Sequence, residues 1–332
     1  MPAAQGYGWA QFEFGDSVRN DQQYTILRNL GWGMHSNTWL ARDEVGNGFV
    51  AVKALTGRVT EMNEKAVSWE AEALRFLSAG PPSQHCVRLL DEFTIPGHGS
   101  AGSHLCFMLP IYGGDVKALS NSRKTPFDLP MAKHIILHLL RGIAHATTDI
   151  ERWMKEDPLR RHPLEMSPDG IVQAAVSHPF PMISDELAPR TTYVLSDFGC
   201  ALPSQLHHDR PITTLPLQAP ESFLEGQWDT PVDIWSFGCL VFELAMSRSL
   251  FEYRVNEKYS LTEVENMLQL KKEPTVFQWP LEDMIGRHGK AIPSTDVSAM
   301  GKLMHRCLRL SPDDRATAKE LLQDPWLEGA ND

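Results

Sequence analysis

Leu30-Gly31-Trp32-Gly33-Met34-His35-Ser36, followed by Val50-Ala51-Val52-Lys53 and, far downstream, by Leu195-Ser196-Asp197-Phe198-Gly199, decides how this chain is read. A Gly-x-Gly turn between two strands lets backbone N–H groups approach phosphate oxygens with no Cβ in the way. Alone that signal is weak. Here Leu30 precedes the turn, Ser36 stands where a third glycine often sits, and Lys53 follows Ser36 by seventeen residues. Lys53 is placed to hold nucleotide phosphates as a charge-assisted donor, oriented by an ion pair with Glu70 or, alternatively, Glu72. Glu70 is preferred because Glu70, Leu74 and Leu77 fall along one inward helical face. An ordinary hairpin with a solvated lysine is the plainer reading of the same residues.

Outward from the turn, the period of the sequence changes. Residues 24–55 alternate in short pieces, Tyr24–Leu30, Thr38–Arg42 and Phe49–Leu55, which predicts antiparallel strands joined by tight turns. From Glu64 to Leu77 the spacing becomes helical, with Val67, Leu74 and Leu77 on or near one face. Strands resume at Val87–Phe93 and Leu105–Leu109. Met131–Ala146 reads as an amphipathic helix striped by Ile135, Ile136, Leu139, Leu140 and Ile143, and Pro231–Met246 is apolar nearly all round, which predicts a buried helix. Val297–Leu310 and Thr317–Leu322 close the chain as helices. Between 150 and 190, Pro158, Pro163, Pro168, Pro179, Pro181 and Pro189 predict a surface insertion with one short helix near Glu151–Glu156. No internal repeat is evident.

Composition narrows the function. A chain of 332 residues, 42% of them hydrophobic, can bury a core spread over two domains or lobes. A formal charge of −11 argues against direct nucleic-acid binding and fits basic partners, although surface solubility explains acidity as well. Cys86, Cys106, Cys200, Cys239 and Cys307 contain no Cys-x-x-Cys pair, so reduced, buried thiols in an intracellular protein are expected. Met1–Ala10 lacks the basic start and apolar run of a secretory signal. The longest apolar stretches, Ile135–Leu140 and Ile234–Leu244, fall short of the roughly 20 residues that span a bilayer, so no membrane association is expected.

Further groups of residues carry information. Asp197, delivered into a Phe-Gly turn, is suited to Mg²⁺, which prefers hard oxygen ligands together with phosphate. Cys200 beside it reads as a small buried thiol. Ala219-Pro220-Glu221 follows by about twenty residues, and Glu221, Asp233 in Asp-Ile-Trp-Ser-Phe-Gly, and Arg315 in Ser-Pro-Asp-Asp-Arg-Ala-Thr are ordered as a buried Glu–Arg pair with a helix-start aspartate. His134 and His138 lie one helical turn apart with Ile135-Ile136-Leu137 between them, which favours packing over metal binding. His207 and His208 are ordinary solvated polar residues, and Thr213 and Thr214 are candidates for shaping a substrate groove or accepting phosphate.

Together these motifs resemble the eukaryotic protein kinase family from about Tyr24 to Trp326, and among its members the SR-protein kinases, on Leu-Gly-Trp-Gly-x-x-Ser-x-x-Trp-Leu-Ala and on His104-Leu105-Cys106-Phe107-Met108-Leu109. The resemblance implies an α+β, two-lobed protein-kinase fold. A small antiparallel β lobe with one helix would occupy 24–112 and a larger, mainly helical lobe 113–326, with an N-terminal extension at 1–23, an insertion at 147–190 and a tail at 327–332. It implies the cofactors ATP and Mg²⁺, with ATP between the lobes. Leu30, Gly31, Trp32, Gly33, Ser36 and Thr38 would lie over the nucleotide, adenine against Ala51 and the backbone of Pro110, Ile111 and Tyr112, with Leu109 as gatekeeper. Lys53 and Glu70 would face the phosphates and Asp197 the magnesium. It implies transfer of the γ-phosphoryl group to serine of Arg/Ser-rich basic proteins, in the cytoplasm, the nucleus or both.

One block departs from the family. After Gly142-Ile143-Ala144-His145-Ala146 the family pattern runs into His-Thr-Asp-x-Lys-x-x-Asn, whose aspartate aligns the incoming hydroxyl and whose asparagine holds a metal. This chain reads Thr147-Thr148-Asp149-Ile150-Glu151-Arg152-Trp153-Met154. Either Asp149 is the base of a degenerate loop, with Met154 in the asparagine's place, or a block of roughly 15–20 residues is missing and Thr148-Asp149-Ile150 already belongs to the insertion. The second reading accounts better for the shortened approach to Asp149. Both an inactive kinase fold and a truncated gene model follow from it.

Overall fold

The computed structural model describes residues 8–19, 23–79, 83, 85–123, 125–141, 161, 165–167, 170–172, 175–177, 179, 183–202, 213–223, 228–251, 281–288, 292–328 and 330. They form two compact units, the first within 1–119, 142–187 and 191–201, the second within 120–141, 188–190 and 202–332.

The first unit is built on antiparallel strands β1 (Ser17–Val18), β2 (Tyr24–Trp32), β3 (Ser36–Asp43), β4 (Gly48–Leu55), β5 (Asp91–Pro96) and β6 (Ser103–Leu109), in the order β1-β2-β3-β4-β6-β5. Successive strand residues face opposite sides, so β4 sends Val50, Val52 and Ala54 into one core and Leu55 into another. The first core is closed by Ala10, Phe12 and Val18, all buried. Residues 8–19, read from sequence as an extension, therefore complete the sheet's core, because Phe12 meets the Trp39 ring edge-on at 5.5 Å. The opposite face packs under helices α1 (Gly57–Glu64) and α2 (Glu70–Ala79) through Val59, Ala71 and Leu74.

Two helices stand here: α1, which was not expected, and α2, which supplies only residues 70–77 of the helix expected over 64–77. Thr56 caps the first by accepting a hydrogen bond from the Val59 amide, and Ala66, at φ 52°, leaves helical geometry before the second begins. That left-handed turn is costly for a residue with a Cβ and ends α1 decisively. The strand expected at 87–93 begins later, at Asp91, because residue 87 bonds to Leu195 instead. The insertion also differs from expectation. Among its described residues, Arg161 stacks over Phe14 at 4.5 Å and pairs with Glu13, and Ser177 donates to Asn29 at 2.8 Å, so these side chains pack on the first unit. A short hairpin joins β7 (Glu165–Ser167) to β8 (Gly170–Val172); the helix expected at 151–156 lies outside the described residues. Helix α3 (Val116–Ser122) follows the sheet, and the division between units falls within it.

The second unit contains α4 (Leu129–Arg141), α5 (Pro231–Met246), α6 (Leu281–His288), α7 (Ser294–Cys307) and α8 (Ala318–Leu321). In α4 Met131, Ala132, Ile135, Ile136, Leu137 and His138 are buried, while Leu139 and Leu140 are only half-buried. Helix α5 matches its predicted bounds and is buried along most of its length, with Trp235 stacked on Phe251 at 5.9 Å. The expected tail is partly core: Leu327 and Ala330 are buried. Helices α5 and α7 approach so closely that a Cβ on Gly238 would lie 2.7 Å from the Cys307 Cβ and 3.0 Å from Leu308. Gly238→Ala gains about 1 kcal/mol of helix propensity but overpacks this crossing by about 1–3 kcal/mol. The expected result is a net loss of about 1 kcal/mol in chemical denaturation; a stabilised variant would contradict the close crossing.

Candidate nucleotide-binding site

The site lies in the first unit and is assembled from the sheet outward. Period-2 alternation sets Ala51 and Lys53 on one face of β4, where Thr38 of β3 is the cross-strand neighbour of Lys53 and Leu109 of β6 that of Ala51. Gly31 pairs with Thr38, after two register shifts in β2 that bend it ahead of the turn. Leu30 and Ile111 pack with Phe49 against the buried Leu40, and Leu109 and Tyr112 pack beside Phe107 and Leu55. Ala51 is buried. These residues form an apolar wall next to the lysine, and burial pushes the Tyr112 phenol up to about 12.

Lys53 Nζ lies 2.5 Å from Glu70 Oε1 and 2.9 Å from Asp197 Oδ1. Glu72 instead pairs with Arg75 at 3.4 Å, so Glu70 is the carboxylate at the lysine. Glu70 is the first residue of α2 and its side chain is 4% exposed. Burial alone would push the Lys53 ammonium down, yet the charges of Glu70 and Asp197 outweigh it and hold its pKa above the ordinary lysine value. The Lys53 ammonium in turn holds the Asp197 carboxyl below the usual carboxylate range against the opposing effect of burial, helped by the Gly199 amide. The two carboxylates leave the cluster with one net negative charge, and the Asp197 side chain is 80% exposed. It is the member of the triad open to a cation.

Asp197 is delivered by a parallel bridge between Cys86 and Leu195, with the Val87 amide donating to the Leu195 carbonyl at 3.0 Å. Among the described residues just before it, the backbone pairs only through this bridge. Asp197 adopts φ 63°, a left-handed conformation that aspartate tolerates better than most residues. Phe198 then packs partly buried under α2 with Ala71 and Leu74, which fixes the turn from below. Cys200 is exposed, contrary to the buried thiol expected, and desolvation and the neighbouring Asp197 and Glu70 carboxylates raise its pKa, so it is a neutral thiol at pH 7. The thiols of Cys106 and Cys307 are buried and pushed up to about 12.

The donor set fits Mg·ATP. One exposed carboxylate, one cation held by carboxylates and a glycine turn with open space above Gly31 suit a metal-bound polyphosphate. No group of three or more His, Cys, Asp or Glu side chains able to hold a metal by themselves occurs among the described residues. The metal would therefore take its remaining ligands from phosphate and water. Asp149, Thr147 and Met154 lie outside the described residues, as do His207 and His208. The carbonyl of Thr213 accepts from Gln218 Nε2 at 3.0 Å. The His134 and His138 rings pack 4.1 Å apart, and His134 Nδ1 lies 3.3 Å from the Ala330 carbonyl oxygen. Among the described residues no helix is long and apolar enough to cross a membrane.

In the second unit Glu221 and Arg315 meet as read from the sequence, through a two-point ion pair of 2.5 and 2.7 Å. Asp233 occupies the first turn of α5. These groups support the fold. Sequence reading missed Trp9, whose indole donates to the Gly33 carbonyl at 2.8 Å. The spacing of Trp9, Phe12 and Phe14 was the available signal, since so many aromatics in so short a stretch are more than a solvated extension needs.

The chain resembles known protein kinases. Residues 187–327 match the model of the protein kinase domain. A serine/threonine-protein kinase SRPK of Physarum polycephalum is 26% identical over 92% of this chain and 85% of its own length. The dual specificity protein kinase CLK2 of Mus musculus is 22% identical over 92% of this chain and 64% of its own. The alignment with the Physarum kinase runs over 368 positions, more than the 332 residues available, so this chain lacks residues that the relative has. A solved kinase domain superposes with a TM-score of 0.60 at 18% identity, covering 96% of this chain and 98% of that one, which establishes the fold. The chain is similar to the protein kinase domain over residues 187–327 and, along most of its length, to SRPK- and CLK-type serine/threonine kinases.

Proposed function

We propose that this chain binds Mg·ATP and acts as a serine/threonine protein kinase of SR-protein-kinase type, phosphorylating serine in Arg/Ser-rich basic proteins. The observation that carries the binding half is Lys53 held between buried Glu70 and exposed Asp197. When bound, Mg·ATP supplies the transferable phosphoryl group and the cation that screens its charge. Lys53 would lie against the α- and β-phosphates and Asp197 would hold the magnesium, while Ala51, Leu30 and Ile111 would exclude water from the adenine. The charge of −11 favours basic substrates. Free thiols at all five cysteines support a reducing, intracellular setting.

A second reading, nucleotide or protein binding without phosphoryl transfer, is favoured by one observation. Residues 147–154 hold neither the histidine nor the asparagine of the family loop, and positioning by that loop accounts for much of phosphoryl-transfer catalysis. Calorimetry with Mg·ATP, paired with labelled-phosphate transfer to an Arg-Ser repeat peptide, separates the readings. Binding with transfer supports the kinase, binding without transfer supports the binding module, and absence of any nucleotide uptake sinks both as far as ATP is concerned.

A further inference from the structure

We infer that Trp9 is a positioning residue that clamps the glycine turn, so that affinity for the phosphates of a nucleotide depends on the segment around residues 8–12. The inference rests on the nucleotide reading of the site. Two glycines make the turn between β2 and β3 permissive, and a Cβ on Gly31 would meet nothing within 4 Å. Such a turn samples many shapes unless something outside it selects one. Trp9 does so at two points: its indole N–H donates to the Gly33 carbonyl at 2.8 Å, and its ring meets the Trp32 ring edge-on at 5.9 Å and 84°. The Gly33 amide already donates to the Ser36 carbonyl at 2.8 Å, so both polar groups of Gly33 are fixed. Because the peptide unit is planar and trans, a Gly33 carbonyl turned toward Trp9 turns the next amide, that of Met34, the opposite way.

The clamp is itself anchored. The Gly57 amide donates to the Gly8 carbonyl at 3.1 Å, the buried Asn37 side chain donates to the Ala10 carbonyl at 2.7 Å, and Ala10 and Phe12 are buried in the sheet's core. Gly8 lies so near Ala101 that a Cβ would come within 2.5 Å of the Ala101 Cβ, so the backbone here has little room to drift. Affinity for a ligand that needs one loop shape falls in proportion to the population of that shape. Loosening Trp9 therefore weakens binding of phosphates without touching the adenine wall.

Trp9→Phe keeps a ring against Trp32 and removes the N–H donor. Loss of one such hydrogen bond predicts amides of residues 32–36 that exchange about three- to tenfold faster, and Mg·ATP affinity weakened by a similar factor. Adenosine, which has no phosphates, should bind within about twofold of wild type. Unchanged exchange overturns the clamp, and equal losses for adenosine and Mg·ATP reduce Trp9 to a general structural role and overturn it too. If the wild-type chain takes up no nucleotide, the binding reading fails and exchange alone decides whether Trp9 holds the turn.

Discussion

Arg315→Ala is expected to destabilise the second unit by about 3–5 kcal/mol, the cost of stranding a buried partner charge. The Arg315 side chain is 1% exposed and that of Glu221 11%. Its guanidinium spends nearly every donor: two on Glu221, one on the Arg309 carbonyl at 2.9 Å and one on the Pro231 carbonyl at 2.9 Å, with the plane 5.1 Å above the Trp235 ring. Truncation leaves the Glu221 carboxylate and two carbonyls without these donors, and empties the space over Trp235. The pair does not favour folding by that whole amount, since desolvating two charges offsets much of their attraction. Arg315→Lys separates charge from geometry. A lysine keeps the positive charge but lacks the planar fork, so it should recover only part of the loss. Denaturation followed by amide exchange in α5 reads both variants; an Arg315→Ala loss below about 1 kcal/mol would mean that water replaces the guanidinium, against its burial.

Where strong periodicity and strong motifs coincide, the sequence was enough. Helix α5 lies at Pro231–Met246 because an all-round apolar run admits no exposed register. Lys53 meets Glu70 because alternation in β4 and the inward face of α2 converge. What was not legible depends on single backbone conformations or on contacts distant along the chain. Ala66 at φ 52° separates the unexpected α1 from α2, so the helix expected from Glu64 starts only at Glu70, and no propensity in Lys65-Ala66-Val67 announces a left-handed residue. Residues 8–12 read as part of an N-terminal extension until Gly57, Gly33 and Asn37 are brought to Gly8, Trp9 and Ala10. The exposure of Cys200 follows from the turn made by Phe198, which spends its own burial under α2 and leaves the next residues outside.

Lys53→Met is expected to weaken Mg·ATP binding about 10- to 100-fold, the range for losing a charged hydrogen-bond donor worth about 1.5–3 kcal/mol. Methionine keeps a long apolar stem in the space the lysine side chain fills, 14% exposed, and removes only the ammonium. The substitution also leaves Glu70 and Asp197 without the cation between them, so a fall in binding could be blamed on a damaged unit. Lys53→Met combined with Glu70→Gln answers that objection. The buried charge at Glu70 then disappears with its partner, so thermal stability should return toward wild type while nucleotide affinity stays low; a double variant that regains both would show that Lys53 serves only the fold. Acidity supplies an independent check on the same triad. Asp197 has its pKa lowered in the folded chain, so its contribution to stability is present above the ordinary carboxylate pKa and is lost as pH falls through the depressed value. Lys53 has its pKa raised, so its contribution is present below the ordinary lysine pKa and is lost as pH rises through the raised value. Between about pH 5 and 9 Lys53 and Asp197 are therefore both charged, and wild-type stability from their shifted pKa values is flat across that window. In Lys53→Met the acid-side loss attributable to Asp197 should shrink, because the charge that depressed its pKa has gone. An unchanged acid limb would place the origin of the Asp197 shift elsewhere and would detach the lysine from the metal-facing carboxylate.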